Sequence, residues 1–190
     1  MLAPECSYTE AERATLLNVA RESIEQGLKS GRSLPVRLHD YSEALQRCQA
    51  SFVTLEKSGQ LRGCIGTLEA YRSLVEDVAE HAYAAAFRDP RFPPVSPQEL
   101  PLLDIHISVL TPASPLTFTS ERDLLAQLVP GRDGLILQYP GHRATFLPSV
   151  WETLPGPGDF LNHLKAKAGL PIDFWSDQLT FQRYTTIAIP

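Results

Sequence analysis

Cysteine is scarce in this chain, methionine almost absent, positive charge in the minority and long apolar runs missing. The three cysteines, Cys6, Cys48 and Cys64, are odd in number and irregularly spaced over 190 residues. That pattern argues against a disulfide framework and suits a reducing compartment. There is no Cys-x-x-Cys pair, and the five histidines, His39, His81, His106, His142 and His163, include no helical i,i+4 pair and none beside a cysteine. A structural zinc site, or any other metal or cofactor, is therefore not expected. No apolar run approaches the ~20 residues that cross a bilayer. The first segment carries Glu5, Glu10 and Glu12 instead of a basic stretch followed by an apolar one, so a cytoplasmic location without a membrane partner is expected. Seventeen Lys and Arg against 22 Asp and Glu give a formal charge of −5, the wrong sign for a surface that tracks phosphates, which excludes nucleic acid as a general partner.

What is present is ordinary globular composition, 43% hydrophobic and 21% charged, enough to bury a sizeable core in one domain over residues 1–190. Thr9 with Glu12 forms a capping box, and Leu16, Leu17, Ala20, Ile24 and Leu28 then recur at helical spacing until Gly31. Ser51–Leu55 and Leu61–Leu68 are β-prone runs around Glu56–Gln60, a hairpin pattern that places Cys64 near the start of the returning strand. Ser73 with Glu76 is a second capping box, opening an alanine-rich helix that Asp89-Pro90 ends. Strict alternation from Leu103 to Val109 predicts a half-buried strand. A short helix from Glu121, a hairpin Gly134–Tyr139/Arg143–Leu147 across Pro140-Gly141, a helix Asp159–Ala168 and a closing strand Leu179–Ile189 complete the reading. Hairpin strands separated by helices imply an α+β fold with a mainly antiparallel sheet and flanking helices.

Three places could hold chemistry. In Leu61-Arg62-Gly63-Cys64-Ile65-Gly66, the glycines Gly63 and Gly66 permit positive φ or close backbone approach, and Arg62 offers a planar fork to an anion. Cys64 is then either a nucleophile, its thiolate favoured by a neighbouring cation, or a small residue packed in the core. Asp89, Arg91 and Phe92 are either a helix-end ion pair beside an aromatic residue or one wall of a ligand site. Asp104, His106 and Ser108 share a strand face, but same-face neighbours stand ~6.5 Å apart and no Gly-x-Ser-x-Gly elbow exists, so they are not a hydrolase triad. His106 becomes a candidate base for Cys64 if the sheet puts their strands side by side.

Phe52-Val53-Thr54-Leu55, the Cys64 segment through Thr67, Ala84–Pro94, Ile107–Thr111, Asp133–Leu137, Ala144–Trp151 and Phe160–Leu164 run in order over nearly the whole chain. In these stretches the sequence resembles AMMECR1-domain proteins, the kind called AmmeMemoRadiSam system protein A. The resemblance implies an α+β fold of two unequal lobes, the glycine-cysteine segment near the cleft between them, and genomic company with Memo-like and radical-SAM proteins as possible partners. It implies no particular reaction. The expectation is a protein acting on a small or peptide-borne substrate in that pathway, with Cys64 and His106 as catalytic candidates and Arg62, Gly63, Gly66, Asp89, Arg91 and Phe92 as substrate-binding ones. The alternative is a non-catalytic module that holds a ligand or docks a partner at the same place.

Overall fold

A computed structural model describes residues 7–190; Glu5 and Cys6 lie outside the described residues. The chain divides into two compact units, one running to Leu110 and taking back Ile187–Pro190, the other Thr111–Thr186.

The first unit is a four-stranded sheet of β1, Ser51–Lys57, β2, Gln60–Gly66, β3, Leu103–Leu110, and β8, Thr186–Ile189, in the order β2-β1-β3-β8, with two long helices on one face. Helix α1, Glu10–Ser30, begins at the Thr9–Glu12 capping box and stops at Gly31, whose φ of 69° closes a left-handed cap. Helix α2, Glu43–Gln46, is a single turn. Strands β1, Ser51–Lys57, and β2, Gln60–Gly66, pair through Ser58 and Gly59, both at positive φ, which is the two-residue turn whose twist matches a hairpin. The turn is tighter than the five residues that the sequence suggested. Helix α3, Leu74–Phe87, starts at the Ser73–Glu76 capping box, and β3, Leu103–Leu110, pairs antiparallel with β1.

Val53 and Leu55 of β1 and Ile107 and Val109 of β3 point under the helices and are at most 1% exposed; each such side chain contributes about 1.5–3 kcal/mol by leaving water. Gly27 of α1 lets the two helices approach, since a Cβ there would stand 2.3 Å from the Phe87 ring. Two carboxylates tie α3 to the hairpin. At its first turn Asp77 Oδ2 accepts from Ser51 N and Oγ at 2.8 and 2.7 Å. Just past its end Asp89 Oδ2 accepts from Cys64 N at 2.9 Å.

The second unit holds β4, Ser114–Pro115; α4, Glu121–Gln127; β5, Gly134–Tyr139; β6, His142–Phe146; α5, Pro157–Lys167; and β7, Thr180–Tyr184. Its sheet order is β4-β7-β5-β6, and its core stacks Trp151 on Phe160 at 3.8 Å. Lys165, fully buried, donates to Glu121 Oε2 at 2.7 Å and to the Ile172 carbonyl at 3.1 Å.

The closing segment is not one strand. β7 ends at Tyr184, and β8, Thr186–Ile189, joins the other sheet. The break is held at Thr185, whose carbonyl accepts from Thr111 N at 2.9 Å while its own N–H goes to Thr111 Oγ1 at 2.8 Å. Those bonds satisfy the backbone where the chain changes sheets.

Candidate functional site

Cys64 is the fifth residue of β2, within the strand and not in a turn. Neither Gly63 nor Gly66 has positive φ; both serve close approach instead. A Cβ on Gly63 would lie 2.2 Å from the Ala85 carbonyl oxygen of α3, and one on Gly66 2.3 Å from the Phe52 ring. Glycine at 63 therefore lets the strand lie directly on the helix backbone.

The register explains which side chains meet. Lys57↔Gln60 and Glu56↔Leu61 give way to Leu55↔Gly63 and Thr54↔Cys64, with an irregularity between Leu55 and Glu56. Arg62 is the extra residue of a β-bulge, a device that re-aims a side chain. Cys64 is brought opposite Thr54 on the half-buried outer face of β1, and the Thr54 hydroxyl donates to Sγ at 3.3 Å. Thr54 also stands opposite His106 of β3. β1 thus lies between β2 and β3, and Thr54 between Cys64 and His106, whose backbones are two strand spacings, roughly 9.6 Å, apart. The condition for His106 as base to Cys64, adjacent strands, is not met. His106 Nε2 instead approaches Glu56 Oε2 at 3.7 Å and lines a separate recess of about 430 Å³ with Leu17, Arg21, Asp104 and Pro190.

Two ion-pair clamps form at the Cys64 strand and the segment that follows α3. Asp89, 4% exposed, takes Arg91 bidentately: Nε to Oδ1 at 3.0 Å and Nη2 to Oδ2 at 2.7 Å. Arg91 Nη2 also reaches the Cys64 carbonyl at 3.4 Å. The hydrogen bond from Arg91 holds the Asp89 carboxyl well below the usual carboxylate range against the opposing effect of burial, and the Cys64 and Arg91 backbone N–H groups add to it. Arg91 is correspondingly raised, by its bond to Asp89 above all, with a smaller attraction to the Cys64 sulfur.

Arg62, 9% exposed, forks onto Glu99 with Nε to Oε1 at 3.0 Å and Nη2 to Oε2 at 3.1 Å. Glu99 also accepts from Lys57 Nζ at 3.0 Å and from Ser96 N at 3.0 Å. Hydrogen bonding from Arg62, then from the Ser96 backbone and Lys57, holds Glu99 far below the usual range. Phe92 lies at both clamps, its ring centroid 5.9 Å from the Arg62 guanidinium carbon and 5.5 Å from that of Arg91, a cation–π distance in each case. One donor is left over: Arg62 Nη1 is buried and has no hydrogen-bond partner. A buried N–H without an acceptor costs about 1–3 kcal/mol.

The structure thus brings Arg62, Gly63, Cys64, Asp89, Arg91 and Phe92 together and leaves His106 apart. Glu99, Lys57 and Thr54 are the additions. The Ser96–Glu99 spacing of a capping pair was a usable signal for Glu99; nothing in the sequence tied it to Arg62. Among the described residues no group of three or more His, Cys, Asp and Glu side chains stands close enough to hold a metal ion, and no helix is long and apolar enough to cross a membrane.

Comparison with known proteins agrees with the sequence motifs. The AMMECR1 family model matches residues 17–189. A protein of Methanothermobacter thermautotrophicus is 40% identical over 174 residues, covering 89% of this chain and 88% of its own. One from Thermotoga maritima is 39% identical over 145 residues, covering 75% and 78%. The crystal structure of uncharacterized protein PH0010 from Pyrococcus horikoshii superposes with a TM-score of 0.85 at 32% identity, covering 95% of this chain and 91% of that one. With the fold and nearly its whole length matched, the chain belongs to the AMMECR1 family.

Proposed function

We propose that the chain is a thiol-dependent protein acting on a small or peptide-borne substrate, with Cys64 as the group that bonds to it. One observation carries this reading. Cys64 is a partly exposed residue whose sulfur receives a hydrogen bond from Thr54, on a strand whose backbone is fixed by Asp89 and touched by the Arg91 guanidinium. The Thr54 hydroxyl meets the sulfur and the Arg91 guanidinium meets the carbonyl of the same residue, so an electrophile that reaches the thiol finds hydrogen-bond donors beside it. The bulge at Arg62 and the bare Cα of Gly63 are the means by which Cys64 is held at that point of the sheet.

The test is competitive labelling of the native protein with a limiting thiol reagent, read by mass spectrometry. Cys64 is expected to react faster than Cys6 and Cys48, and equal or slower reaction removes the nucleophile. The pathway part of the proposal, work alongside Memo-like and radical-SAM proteins, is supported by the family resemblance, and co-purification with such proteins tests it.

A second reading, a non-catalytic module that binds a ligand or partner at the same residues, draws on a different observation. Both arginine forks are already engaged by carboxylates, and His106 is a full strand away from the sulfur. Turnover of any substrate by the isolated protein would sink that reading.

A further inference from the structure

We infer that the group bound beside Cys64 is an oxyanion, so that the substrate of the proposed thiol chemistry is a carboxylate-bearing electrophile. The inference rests on the thiol reading and adds the substrate class to it.

The first ground is the local charge. Arg62, Lys57 and Arg91 face Glu99 and Asp89, so three cations meet two carboxylates and the cluster keeps one positive charge. That excess sits on a chain whose formal charge is −5. Both carboxylates ionise well below their usual range, which keeps the balance in place at neutral pH. A ligand anion at the cluster neutralises it.

The second ground is the spare donor. Glu99 consumes Arg62 Nε and Nη2 and leaves Nη1 buried without an acceptor in a residue that is 9% exposed. Arg91 is bound in the same side-on manner by Asp89, yet its side chain is 54% exposed. In each arginine the carboxylate takes the Nε–Nη2 edge, and the bonds to Asp89, Glu99 and Cys64 leave Nη1 unused. Phe92 stands at both guanidinium groups. An aromatic ring there excludes water from one side of each charge and strengthens its attraction for an anion. A guanidinium N–H pair suits a carboxylate oxygen better than a neutral carbonyl, since ionised acceptors form the shorter and stronger bond.

The experiment compares two alkylating reagents of the same size, iodoacetate and iodoacetamide, on the full-length native chain. Cys64 modification is followed by peptide mass spectrometry, with N-acetylcysteinamide as the reference thiol in the same buffer. The ratio of iodoacetate to iodoacetamide rates at Cys64 is expected to exceed the reference ratio by about tenfold at low salt, for one uncompensated charge at the cluster. It should shrink towards the reference as salt is added. Arg91→Gln is expected to remove most of the preference. Arg62→Lys keeps the charge but loses Nη1, and should lower the ratio severalfold. Reaction of Cys64 with iodoacetamide at a normal rate, with a ratio equal to the reference, overturns the oxyanion site and leaves the thiol reading standing. Failure of Cys64 to react with either reagent overturns both. The wild-type ratio and its salt dependence decide the matter even if a variant fails to fold.

Discussion

Gly63→Ala is the sharpest test of how the Cys64 strand is held. The added methyl would stand 2.2 Å from the Ala85 carbonyl oxygen and 3.0 Å from its carbon. Restoring ordinary contact requires β2 and α3 to part by about 1.2 Å. The obstacle is backbone and has no rotamer to change. The helix is also tied at both ends, by Asp77 to Ser51 and by Asp89 to Cys64, so separation strains those bonds too. Overpacking of this kind costs about 3 kcal/mol at the upper end of its usual range. Alanine recovers about 0.5–1 kcal/mol over glycine in a strand interior. The net loss of about 2 kcal/mol should lower the melting temperature by about 4–8 °C for a chain of this size. Far-ultraviolet circular dichroism measures it, with Gly158→Ala as the control: position 158 lies in the first turn of α5, has ordinary φ and meets nothing within 4 Å. That control should be neutral or stabilising by up to about 1 kcal/mol. A Gly63→Ala protein that melts within about 1 °C of wild type would refute the close-approach account of this glycine.

Other consequences can be measured in the same way. Glu99→Gln leaves the buried Arg62 charge without its partner and should cost about 3 kcal/mol by urea denaturation, whereas the double change Arg62→Met with Glu99→Leu should cost much less. Lys165→Met should fall within about 1 kcal/mol of wild type, because Glu121 is partly exposed and can turn to water, while Glu121→Gln strands the buried ammonium and should cost about 3 kcal/mol. Asp89 and Glu99 ionise below their usual range when folded. Their contribution is therefore present above about pH 4 and lost as the pH falls further, so Asp89→Asn and Glu99→Gln should flatten the acid limb of a stability–pH curve. Burial pushes the Tyr184 phenol up to about 12; its contribution is complete below about pH 10 and lost as the pH rises through the folded value, and Tyr184→Phe should flatten that limb.

Local chemistry made much of the fold legible in the sequence. Thr9 with Glu12 and Ser73 with Glu76 are contacts three residues apart, so both capping boxes could be read directly and both exist. The strand Leu103–Leu110 was equally plain because its alternation is a property of neighbouring residues. The site was harder to read because its contacts are distant in sequence or depend on a register. Counting back from the Ser58-Gly59 turn would pair Thr54 with Gly63; one extra residue at Arg62 shifts the pairing and puts Cys64 there instead. Arg62 and Glu99 are 37 positions apart and Cys64 and Asp89 are 25, separations over which no periodicity speaks. The closing segment reads as one element in the sequence because both β7 and β8 are β-prone; only the pairing of Thr111 with Thr185 marks where one sheet ends and the other begins.

That pairing also bears on the order in which the chain assembles. β8 must find β3 across the whole stretch Thr111–Thr186, a long loop to close from an unfolded start. If Thr111–Thr186 collapses first, Thr111 and Thr185 are already hydrogen-bonded, and the loop that remains is a few residues long. The closure entropy still to be lost is then smaller by about 2–3 kcal/mol. The second unit therefore acts as a tether for the first sheet's last strand, and a pulse-labelling experiment should find amides of β5 and β7 protected before those of β8.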